Sequence, residues 1–166
     1  MTHEGWLQTL AEVAVALAGF SGLLAGVRHR SEQESRINAT RLRTIIETSL
    51  PIVALSLLPT LLNGFGMGEI AAFRISALVF LAGLIPLGTR GFLRFRAASG
   101  VSRPSLLMSG TYLASAISLV SAVACALGLA SSIAPTLYLM ALASALAIGA
   151  FNFVGFAVGL DSESTG

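Results

Sequence analysis

Glu12 is a carboxylate set inside an apolar stretch that runs from about Trp6 to Val27. On a helix at about 100° per residue, Ala16, Gly19, Leu23 and Gly26 fall within about 40° of its direction. The carboxylate thus shares a narrow stripe with three small residues, the type that lets helix backbones approach closely in lipid. Two chemistries suit it: a cation- or proton-binding group in a pore or relay, or one half of an ion pair that fixes helix packing. Arg74 is the natural partner for the pair, because Arg and carboxylate form two parallel hydrogen bonds that offset desolvation. The spacing of the apolar runs puts both residues on the same membrane side, so they are expected to be neighbours, within a subunit or between subunits. The competing reading has Arg74 snorkelling to the headgroups.

Asn152 is the other deep polar residue. Ala141, Ala145, Gly149 and Asn152 follow one another at helical spacing, and Gly155 with Gly159 forms a GxxxG pair. That pattern points to helix association, with Asn152 as a hydrogen bond between helices. Ser115, Ser118 and Ser121 lead up to Cys125; such serines bond back to their own helix or form a polar lining. Cys125, alone in its apolar run, reads as a small buried hydrophobe. Pro51, Pro59 and Pro86 each remove a helical hydrogen bond and can kink a spanning helix.

The sequence has no G-x-x-x-x-G-K-[ST], H-E-x-x-H or G-x-S-x-G motif, and no base beside a nucleophile. No enzymatic activity, cofactor or metal is therefore expected. His3 and His29 fall at opposite ends of the first apolar run, which separates them as partners in a relay. Asn38-Ala39-Thr40 is a formal glycosylation sequon on the expected cytoplasmic side, where it is inert.

These residues need membrane helices to position them. Of 166 residues, 55% are hydrophobic and 11% charged, with a mean hydropathy of +0.84. Soluble domains carry about 25% charged residues. Five apolar runs reach spanning length: about 6–27, 48–67, 71–92, 105–133 and 135–160. The expected fold is a single-domain, all-α membrane bundle of five spans. Because the last two runs are separated by so few residues, four spans plus a re-entrant segment is the alternative. Segment 28–47 reads as a cytoplasmic amphipathic helix on the anionic leaflet, or as an extension of the second span.

All ten basic residues are arginines, and they report the orientation. Arg28, Arg30, Arg36, Arg41 and Arg43 lie between spans one and two. Arg90, Arg94, Arg96 and Arg103 lie at or between the ends of spans three and four. Arg-rich short loops stay cytoplasmic, so the N-terminus is expected outside and the C-terminus inside a bacterial inner membrane. The basic pI of about 9.3 reflects this sidedness and not nucleic-acid binding.

The stretch Leu10-Ala11-Glu12-Val13-Ala14 through Leu17-Ala18-Gly19-Phe20-Ser21-Gly22-Leu23 resembles a pattern in small uncharacterised bacterial membrane proteins. There an acidic residue precedes a Gly-Phe-x-Gly turn of the first helix, and an Arg-rich loop follows. The resemblance covers about the first 45 residues. It implies no activity, and it draws attention to Glu12, Gly19, Phe20 and Gly22.

The function expected from these features is an oligomeric, cation-preferring pore with Glu12 near its outer mouth, since carboxylate rings favour cations. Its partners are the lipid bilayer and copies of itself. The alternative is a structural subunit whose Arg-rich cytoplasmic segment docks a protein or anionic lipid. A small transporter is a third reading.

Overall fold

The computed structural model describes residues 3–27, 32–99, 106–129 and 131–158, with side chains described over 3–23, 42–43, 45–86, 89, 109–129, 131–154 and 157. These residues form five helices: α1 (His3–Val27), α2 (Glu32–Gly64), α3 (Glu69–Ser99), α4 (Leu106–Leu127) and α5 (Ala134–Val158). Among the described residues there is no strand. Each helix is long and apolar enough to cross a membrane, over His3–Leu23, Ile45–Gly64, Glu69–Pro86, Ser109–Leu127 and Ser131–Val154. The chain is thus all-α and of the multi-pass membrane type. Both α4 and α5 reach spanning length.

Of the two readings of segment 28–47, the described residues from Glu32 on fit the extension of the second span, so α2 runs 33 residues. Other expected boundaries move, and α3 continues to Ser99, past the expected end at Phe92. The fourth helix stops at Leu127, earlier than the expected Ile133. The physical reason is Gly128, which has a φ of +68° that only glycine adopts without strain. Its N–H donates to the Cys125 carbonyl at 3.1 Å, and the Leu129 N–H reaches back to the Ala124 carbonyl at 3.2 Å. This pair of bonds is a Schellman stop. Gly66 (φ +86°) ends α2 in the same way, with Gly66 N–H on Asn63 and Met67 N–H on Leu62. A single 3₁₀ turn, Ser131–Ile133, then leads into α5, whose Pro135 sits in the first turn where its missing N–H is harmless.

Helix α5 is the hub and touches the other four helices. Its buried residues Ala134, Tyr138, Ala141, Leu142, Ala145 and Leu146 recur at helical spacing along the inner face. Helix α1 packs on α2 and α5 through a narrow seam of Leu7, Ala14 and Ser21, seven residues apart. Helix α3 packs instead on α2, α4 and α5. In lipid the apolar effect does not favour helix pairing, and close contact between small side chains supplies the attraction. The buried alanines at 14, 72, 77, 114, 122, 134, 141 and 145 fit that rule.

Candidate functional site

The side of α1 opposite its packed seam is exposed, and Glu12 stands on it. Gln8 Nε2 donates to Glu12 Oε1 at 3.0 Å, one turn earlier on the same helix. Ala16, Gly19 and Leu23 continue the exposed face, and Gly22 and Phe20 flank it. A methyl group added at Gly19 or Gly22 would meet nothing within 4 Å. These glycines therefore leave room outside the chain and do not serve a close approach within it. Gly26 lies in α1 beyond the described side chains.

Glu12 and Arg74 do not pair within the chain, contrary to expectation. Arg74 Nε donates to the Ala126 carbonyl at 3.4 Å. Ala126 is in the last turn of α4, where carbonyls lack helical donors, and a guanidinium there also complements the helix dipole. The order of the apolar runs suggests a shared membrane side for the two residues, but it does not give their positions around the helix cluster. Helix α1 packs mainly on α2 and α5, whereas α3 packs on α2, α4 and α5. Arg74 also lies over the turn that ends α4: a Cβ at Gly128 would be 2.8 Å from its guanidinium carbon, the far end of an exposed side chain.

Asn152 is another correction. Its amide donates to the Ile148 carbonyl of its own helix at 2.8 Å, in place of the expected bond between helices. Gly149 is buried, and a Cβ there would meet Thr48 Oγ1 at 3.2 Å, so it sets the α2–α5 approach. Gly155 lies in α5 beyond the described side chains, and Gly159 lies outside the described residues. Of the serines, Ser115 bonds back to Thr111. Ser118 crosses to the Ala141 carbonyl of α5 at 2.8 Å. Cys125 is fully buried, its thiol directed at the carbonyls of Ala134 and Phe73.

Among the arginines, Arg43 pairs with Glu47 one turn on. Arg36 and Arg41 belong to α2, and Arg90, Arg94 and Arg96 to α3, with side chains beyond those described. Arg28, Arg30 and Arg103, like His29, lie outside the described residues.

Two features were missed in the sequence. A small pocket of about 30 Å³, open to the surface, lies where the start of α1, the end of α2 and the start of α3 meet. His3, Glu4 and Leu7 line it with Thr60, Asn63, Glu69 and Phe73. The other feature is a hydrogen bond from the Tyr138 hydroxyl to the Leu55 carbonyl at 2.8 Å. Pro59 gave the available signal: a proline leaves the carbonyl four residues earlier, here Leu55, without its helical donor.

The sequence matches no protein-family model, and neither a curated protein nor a solved structure matches it.

Proposed function

We propose that this chain is a multi-pass protein of a bacterial-type inner membrane, with its N-terminus outside, and that copies associate through α1 to form a cation-preferring pore. The observation that carries this reading is the position of Glu12. Its carboxylate is tied only to Gln8 on an exposed helix face beside Ala16 and Gly19. A carboxylate against acyl chains is costly, so such a face belongs against protein or water. Small residues beside it permit another helix to approach. A ring of Glu12 side chains around a shared axis would attract cations and repel anions. The arginine distribution supports the orientation through the positive-inside rule.

The test is ion flux through purified protein in liposomes, with wild type beside Glu12→Gln. Cation-selective flux that falls about tenfold in the variant is the expected result. Correctly assembled protein that passes no ions would overturn the pore. In that case weight passes to the docking reading, which has its own supporting observation. Helices α2 and α3 continue past their apolar spans, from Ile45 back to Glu32 and from Pro86 on to Ser99. At 1.5 Å per residue each extension reaches about 20 Å, and together they carry Arg36, Arg41, Arg43, Arg90, Arg94 and Arg96.

A further inference from the structure

Helix α2 has one internal bond missing by chemistry. Pro59 has no N–H, so the Leu55 carbonyl has no donor from its own helix. A carbonyl in an apolar interior needs a partner, and in a membrane water is not at hand to supply one. The partner comes from another helix: the Tyr138 hydroxyl of α5 donates to Leu55 at 2.8 Å. Tyr138 is 0% exposed, and Pro59 is buried.

The same bond connects to the small cavity. The Tyr138 ring meets Phe73 edge-on, with centroids 5.7 Å apart, and Phe73 is one wall of that cavity. Pro59, Thr60 and Asn63, the last turn of α2, form another wall. The remaining walls come from α1 and α3, with Leu7 (3% exposed) and Phe73 (4%) closing the floor. The proline, the phenol and the cavity thus form one contiguous unit.

We infer that Tyr138 is a latch on a proline hinge. With its bond to Leu55 made, α2 is tied to α5 just ahead of the proline, and the turn Pro59–Gly64 keeps the pocket it forms with α1 and α3 small. With the bond broken, that turn swings about Pro59, the cavity widens, and water reaches Leu7 and Phe73. The helix itself contributes no bond at this point, so the phenol, which also meets the Ser76 side chain, is the donor on which the Leu55 carbonyl depends. The inference does not depend on the pore reading.

The test is backbone hydrogen exchange on the full-length protein in lipid. Tyr138→Phe removes the donor and keeps the ring. It is expected to raise exchange over residues 60–64 by about tenfold, the scale set by leaving a buried acceptor unsatisfied. Exchange over residues 141–146 of α5 should be unchanged. Pro59→Ala returns an N–H to Leu55, so adding Tyr138→Phe to that variant should alter exchange by less than about twofold. An unchanged rate over residues 60–64 in folded Tyr138→Phe would overturn the latch, as would an equal rise in the Pro59→Ala background. If Tyr138→Phe fails to fold, Pro59→Ala alone decides. Slower exchange over residues 60–64 supports the hinge, and equal or faster exchange refutes it.

Discussion

Gly128 carries two demands at one position. Its φ of +68° suits glycine, and the Arg74 guanidinium fills the space where a side chain would begin. Gly128→Ala should therefore lose about 1–2 kcal/mol from the backbone alone, with a smaller further loss as the exposed Arg74 guanidinium shifts off the Ala126 carbonyl. In an Arg74→Met background the second part should shrink, so the two changes should be less than additive. Thermal unfolding of the four proteins in one detergent checks this, and simple additivity would contradict the described contact. The glycine was available in the sequence as a stop signal. It was hidden because Leu129 and Ala130 continue the apolar run past the helix end. Hydropathy reports membrane depth, and a left-handed glycine leaves no trace in it. Glu12 and Arg74 do not pair within the chain for a related reason: two residues placed on one side by sequence can belong to helices with different main neighbours.

At the scale of elements, the close α2–α5 approach rests on Gly149 facing Thr48 and Ser49. Ser49 is buried, and its hydroxyl has no partner among the described residues. Gly149→Leu should push the helices apart and destabilise the protein by about 1–3 kcal/mol, the usual cost of overpacking. Gly149→Ala asks for a few tenths of an ångström from Thr48 and should cost less. A graded loss of thermal stability from Gly to Ala to Leu is expected, and a Leu variant as stable as wild type would refute the close approach. The five apolar runs were legible because each helix must fill a bilayer, and length with composition encodes that need directly. Which small residues face one another was legible only in part. Gly149 meets another helix, but Gly19 and Gly22 meet none within the chain. Spacing identifies a face, and only the arrangement of neighbours decides what covers it.

At the scale of the whole molecule, α1 is the peripheral helix, and its outward face is the surface proposed to join copies. Cysteine at Ala16, in a Cys125→Ala background, should cross-link readily between chains in lipid bilayers. Cysteine at Ala14, which is buried in the seam, should not. Equal cross-linking at the two positions, or none at Ala16, would place the contact elsewhere. The Glu12→Gln flux experiment depends on the same surface, so cross-linking should precede it.

The central place of α5 also has a meaning in the order of synthesis. Of the five helices it leaves the ribosome last, yet the other four pack on it. Until residues 134–158 arrive, α1 has mainly α2 to lean on. During that interval the Ser118 hydroxyl lacks its acceptor on Ala141, and the Leu55 carbonyl lacks the phenol that later satisfies it. The unfinished protein is therefore a set of spanning helices with polar groups open to one another and to the insertion machinery. Packing among the first four helices can begin earlier, but these two bonds close only when the last helix is present.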